Sequence, residues 1–300
     1  MRTLIIVFLM AAASSAPAQE RLPVVTSTTD LKALVEAVGG ERVVVTSIAP
    51  PTMDAEDYQP KPQDVARVGA ARLAVRVGLD YDLWFDRLLA QAGRADLMRG
   101  QAGYVDASYA IAVLEVRGAS VGPGDGHAHG NGNPHYWLDP KNAEIVTGTI
   151  LEALGRLDPV HAGEFERNRQ AFLSAIDARL AEWEQRMSAL HGRAIVAYHN
   201  SWAYFARRFK LDIAGLIEPK PGVQPSPAHL AAMIRLMREK HIGIVIREPH
   251  EPERDAAFLA GKTDAAVVVL AASVGAMPQA GDYISLFDAD VAALTAQAGR

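Results

Sequence analysis

The chain has 300 residues, 49% hydrophobic and 22% charged, enough apolar material for one large domain or two of ordinary size and too much for a disordered chain. Its 30 Lys and Arg stand against 35 Asp and Glu, a formal net charge of -5, with no basic block to track a phosphate backbone, which argues against a nucleic-acid partner. It has no cysteine, so disulfides are excluded and any metal site must use His and carboxylate ligands.

Arg2, the apolar run over residues 4–13 and the small residues Ala16 and Ala18 predict a secretory signal peptide over residues 1–18. The run is too short for a resident membrane span, and no later stretch is long and apolar enough. The expectation is a periplasmic protein beginning near Gln19, with no cysteine to carry a lipid anchor.

In the mature chain, residues 22–27 read as a strand, Thr28-Thr29-Asp30 as helix caps, and Leu31, Leu34, Val35 and Val38 as one helical face ended by Gly39-Gly40. Residues 43–48 form a second strand, making a βαβ unit and hence a parallel sheet. A proline-stiffened loop over residues 49–62 leaves the carboxyl end of that strand, where open parallel sheets bind ligands, so its acids are the first candidates for a cleft. Residues 73–77 predict the next strand, residues 81–89 a helix and residues 111–116 a further strand.

Residues 158–191 contain no proline after Pro159 and carry Phe165, Phe172, Ile176, Leu180, Trp183 and Met187. They predict one connecting helix, roughly 45 Å over about 30 residues at 1.5 Å per residue. Beyond it, strands at 194–198, 213–217, 244–246 and 265–270 alternate with helices at 201–209, 227–240, 252–261 and 286–298. The organisation is α/β: an N-terminal lobe over 19–157, the connecting helix, and a similar C-terminal lobe over 192–300, with parallel sheets flanked by helices.

Chemistry concentrates in the histidines. His127 and His129 lie in a glycine-rich loop, readable either as a solvated loop or as a low-affinity collector of zinc. His135 stands in Asn133-Pro134-His135-Tyr136-Trp137-Leu138-Asp139-Pro140, its backbone set by Pro134 and its ring directed by two aromatics at a helix start. His199, in Tyr198-His199-Asn200-Ser201, ends the first strand of the second lobe, so the two rings could face each other across a cleft. His250, in Arg247-Glu248-Pro249-His250, also follows a strand, whereas His161, His191, His229 and His241 fall on or beside helices and read as surface residues.

These segments, with Tyr58-Gln59-Pro60-Lys61-Pro62, Glu218-Pro219 and Pro225-Ser226-Pro227, resemble the zinc and manganese solute-binding proteins of ABC importers, the ZnuA type, over essentially the whole mature chain. The resemblance implies two α/β lobes, a long connecting helix of limited flexibility and one metal held between the lobes. It implies His135 and His199 as ligands. A family histidine falls on Glu56 in Asp54-Ala55-Glu56-Asp57-Tyr58-Gln59-Pro60, and a carboxylate can replace imidazole on zinc. The family's late aspartate has no counterpart in residues 267–275, leaving Glu248, His250 or Asp282 to fill the shell, with Glu248 first; Glu248 reads equally as a hydrogen-bonded acid buttressing the cleft.

Two imidazoles with a carboxylate favour zinc, with manganese or iron as alternatives. The function implied is a non-enzymatic receptor, acting as a monomer, that delivers its ion to an inner-membrane ABC permease. A metallochaperone that buffers zinc without an importer satisfies the same residues. A zinc hydrolase would use a similar ligand set, but the His-Glu-x-x-His helix and the Gly-x-Ser-x-Gly elbow are both absent.

Overall fold

The computed structural model describes residues 21–115 and 132–299. The expected signal peptide and the loop carrying His127 and His129 lie outside the described residues.

The first lobe is built on β1 (Leu22–Thr26), β2 (Val43–Ser47), β3 (Leu73–Arg76) and β4 (Tyr104–Asp106) in the spatial order β2-β1-β3-β4. All pairs are parallel, with Val24 opposite Val45 on one side and Leu73 on the other. β3 is buried along its whole length, as expected for a strand covered on both faces. Between β1 and β2 runs α1 (Thr29–Gly39), whose Thr28 side chain accepts the Leu31 N–H and whose Leu31, Leu34, Val35 and Val38 are buried. Gly40 follows at φ 53°, a conformation that ends the helix readily only with glycine.

α2 (Pro62–Gly69) and α3 (Leu83–Gln91) flank β3, and α4 (Asn142–Leu157) leads to α5 (Ala162–Met187). The second lobe follows as β5 (Ala194–Ala197), α6 (Ala203–Phe209), β6 (Asp212–Leu216), α7 (Pro227–Glu239), β7 (Ile244–Arg247), α8 (Glu253–Thr263), β8 (Ala266–Val269) and α9 (Tyr283–Thr295). Its strand order, β6-β5-β7-β8, repeats that of the first lobe and is again all parallel.

One expectation is corrected. Residues 111–115 are not a strand: the edge position belongs to β4, which pairs Ala74 with Tyr104, and left-handed residues at Ala110 and Glu115 break any extended run. Ile111 is buried without being paired in a sheet, and the Leu114 N–H donates to the Tyr204 hydroxyl of the other lobe at 3.1 Å. α2 emerges directly from the proline-rich loop, because Pro62 suits a first helical position and Asp64 accepts the Lys61 N–H at 2.7 Å. The expected long helix is present, 26 residues of α-helix with single 3-10 turns at Pro159–His161 and Ser188–Leu190 extending its two ends.

α5 does more than connect. It packs against α1 and α4 of one lobe and α9 of the other, and a single hydrophobic core runs through both lobes behind the cleft. The lobes are also pinned by polar contacts: Arg208 grips Asp139 at 2.8 and 3.1 Å, the Trp137 indole donates to the Ala272 carbonyl at 2.8 Å, and the Tyr283 hydroxyl donates to the Trp137 carbonyl at 2.6 Å.

Asp30 is a further pin, fully buried and accepting the Val274 N–H at 2.8 Å. Burial raises its pKa from 3.8 to about 7. A carboxyl that holds its proton more tightly when folded favours the fold below its unfolded pKa and loses that advantage as pH rises through the folded one. The Asp30 contribution should therefore fall by about 4 kcal/mol between pH of about 4 and about 7. Urea unfolding of Asp30→Asn against the parent across that range should show the difference between them changing in the variant's favour as pH rises; a constant difference would refute it.

Candidate metal centre

The residues that converge on the cleft sit where the strands end. The loop with Glu56 follows β2, Tyr81 follows β3, His199 follows β5, Glu218 follows β6, Glu248 follows β7 and Ala272 follows β8, the carboxyl-end position at which open parallel sheets bind ligands. His135 joins them from the connection between β4 and α4. Together they line a cavity of about 150 Å³. That holds an ion with its ligand ends; sites for organic solutes run to roughly 300–1,000 Å³.

His135 is 4% exposed, and its ring lies 5.4 Å from Tyr81, 5.2 Å from Trp137 and 5.6 Å from His199 between centroids. Its orientation is set by Asn133, whose Oδ1 accepts the His135 backbone N–H at 3.0 Å and lies 3.1 Å from ring Nδ1. An oxygen already receiving one N–H identifies itself as the acceptor, so Nδ1 carries a proton and Nε2 is the nitrogen with a lone pair. The Asn133 amide donates in turn to Glu115 at 3.1 Å and to the Asn200 carbonyl at 2.8 Å, tying the His135 segment to the residue next to His199.

His199 has the same arrangement from the other lobe. It is 8% exposed, and its Nδ1 meets Glu218 Oε2 at 2.5 Å, again leaving Nε2 for an ion. Burial alone would lower its pKa, but the Glu218 hydrogen bond and the charges of Asp54 and Glu248 raise it to about 9. An entering cation therefore displaces a proton.

The proline-rich loop is fixed before it reaches the cleft. The Trp84 indole donates to the Ala55 carbonyl at 2.7 Å, and the Tyr58 hydroxyl donates to Asp64 at 2.7 Å. Asp54 Oδ1 accepts the Glu56 N–H at 2.8 Å, a tight side-chain turn that folds the two carboxylates together. Ligand atoms of Asp54, Glu56 and His199 all lie within 4.8 Å of one another.

Glu248 lies on the cavity wall with Oε1 accepting the Ser201 hydroxyl at 2.5 Å and Oε2 3.7 Å from His250 Nδ1; burial pushes its carboxyl above the usual range. Glu251 accepts the Glu248 N–H at 2.5 Å, and burial raises its pKa to about 9. Of the sequence candidates, Glu56, His135, His199, Glu248 and His250 reach one cavity. Asp282 does not: it caps α9 by accepting the Ile284 and Ser285 N–H groups and lines a separate groove with Lys32 and Phe172. Sequence reasoning gave Glu218 no part in the site, and its position just beyond the strand beside His199's own was the available signal. It took Asp54 only as one acid among several in the loop.

The family described as "Zinc-uptake complex component A periplasmic" matches residues 24–297. A "Putative metal-binding protein" of Treponema pallidum is 30% identical over 271 residues, covering 87% of this chain and 84% of that protein. The "Iron-binding protein YfeA" of Yersinia pestis is 27% identical over 248 residues, covering 82% and 75%. A crystal structure of ZnuA superposes with a TM-score of 0.78 at 25% identity, over 92% of this chain and 99% of that one. With fold and sequence in agreement, the chain belongs to the ZnuA family of metal-binding substrate receptors of ABC importers.

Proposed function

We propose that the protein captures one divalent transition-metal ion in the periplasm, with zinc as its preferred cargo, and delivers it to an inner-membrane ABC permease without chemistry of its own. The observation that carries this reading is the pair of buried histidines from opposite lobes, lining one cavity and each with Nδ1 held by an oxygen acceptor. His135, His199 and Glu56 are its ligands. Imidazole nitrogens are borderline donors that suit zinc, and the carboxylate keeps manganese and iron within range. The relatives point the same way, since the family is described by zinc uptake and YfeA by iron binding. Glu248 accepts the Ser201 hydroxyl on the wall of the same cavity. Both lobes present the closed cleft to the permease, which reads the loaded state.

The test is the metal content of the purified protein followed by competition between zinc and manganese. One ion per chain, with manganese unable to displace zinc at equal concentration, is expected. Manganese prevailing would overturn the zinc preference, and failure to bind any divalent ion would overturn the receptor reading.

A further inference from the structure

The cavity holds more carboxyl groups than three ligands require. Asp54, Glu56, Asp57, Glu218, Glu248 and Glu251 all line it, and no lysine or arginine does among the described residues. Glu251 is buried on its wall with Oε1 lacking a hydrogen-bond partner. Carboxylates brought together without a cation repel, and a buried acceptor without a donor is costly. A cation held in the cavity relieves both.

Which acid completes the shell is decided by which carboxylates gather beside a histidine. After β8 the chain offers Ala272 and Ser273 to the cavity, with no carboxylate. Glu248 has one oxygen committed to the Ser201 hydroxyl at 2.5 Å and the other 3.7 Å from His250. The first lobe supplies the alternative. Asp54 and Glu56 are two residues apart, and the turn closed by the Glu56 N–H sets both beside His199, all three ligand atoms within 4.8 Å. Ligand atoms on one zinc, each about 2.0–2.1 Å from the ion, stand about 3.4 Å apart in a tetrahedron. A small inward movement of the loop brings this trio to that spacing, and His135 lines the same cavity.

We infer that Asp54 is the fourth ligand, so that both carboxylates of the shell come from one turn of the first lobe and both lobes contribute an imidazole. This rests on the receptor reading above and sharpens it. Two carboxylates cancel the charge of a divalent ion, and two oxygen with two nitrogen donors make a shell that hard cations also accept. The Asp54 carboxylate therefore tunes the discrimination between zinc and manganese.

Asp54→Asn tests it cleanly, because the amide Oδ1 can still accept the Glu56 N–H and keep the turn. Zinc and manganese titrations by calorimetry would compare the parent, Asp54→Asn, Glu248→Gln and His199→Ala, with metal-free melting temperatures as a control on folding. The expected result is a loss of affinity for zinc of roughly tenfold or more in Asp54→Asn, a larger loss for manganese, and an unchanged metal-free melting temperature. Affinities within about twofold of the parent for both ions would overturn the assignment. So would a greater loss in Glu248→Gln than in Asp54→Asn. A parent that binds neither ion would instead overturn the receptor reading itself, so the two failures are distinguishable.

Discussion

His199→Ala should bind zinc roughly a hundredfold or more weakly than the parent, since loss of a group that merely orients a ligand already costs about 10–100-fold. The position leaves little room for substitution. His199 stands just beyond β5, the central strand from which the second lobe's sheet grows in both directions, and is 8% exposed. His135 cannot swing into its place, being held by Asn133 and flanked by Tyr81 and Trp137. The truncation also leaves Glu218 without its imidazole partner, although the Gly222 N–H still donates to its other oxygen at 2.7 Å. A variant that removes only the orienting group, Glu218→Gln, separates the two effects and belongs in the lower, tens-fold range. Calorimetric zinc titration at fixed pH reads both. Retention of parental affinity by His199→Ala would remove this residue from the site and with it the second lobe's nitrogen ligand.

The halves of the fold were legible because buried parallel strands write themselves as apolar runs: residues 22–26 and 244–247, buried over most of their length, read Leu-Pro-Val-Val-Thr and Ile-Val-Ile-Arg. β4 was not legible, being three residues long and recognisable as a strand only through its pairing with β3. The apolar pattern at 111–114 misled because Ile111 is packed into the hydrophobic core, and burial alone does not distinguish a paired strand from an unpaired segment. In the cleft, His135 and His199 could be found because each sits at a boundary where a strand or helix begins or ends. The companionship of His199 with Glu218 could not be read from a spacing of nineteen residues; it follows from β5 and β6 being neighbours in the sheet. Asp54 needed the turn at Glu56, a side-chain hydrogen bond that no periodicity reports.

The largest effect on stability is expected at a residue that touches no metal. Arg76, at the end of β3, is 1% exposed and lies 2.9 Å from Asp82, with Asp86 and the Tyr104 hydroxyl as further partners. Asp82 is fully buried and also accepts the Val77 and Gly78 N–H groups at 2.6 and 3.1 Å. Those bonds hold a turn in which Gly78, Leu79 and Asp80 all have positive φ, at 88°, 51° and 65°. Two non-glycine residues in that region are costly and persist only when their surroundings over-determine them. The turn delivers Tyr81 to the face of His135 and its hydroxyl to Asp54 at 3.4 Å. Arg76→Met fills similar space but leaves Asp82 as a buried charge with no counter-ion, so it should lose about 3–5 kcal/mol of stability in urea unfolding. Asp82→Asn in the same chain should recover part of that loss, because the uncompensated charge disappears while the two backbone donors keep an acceptor. A loss below about 1 kcal/mol would mean that Arg76 holds no buried charge in balance. Metal affinity should fall in Arg76→Met even at temperatures where it remains folded, since the turn presenting Tyr81 to His135 and Asp54 would no longer be held.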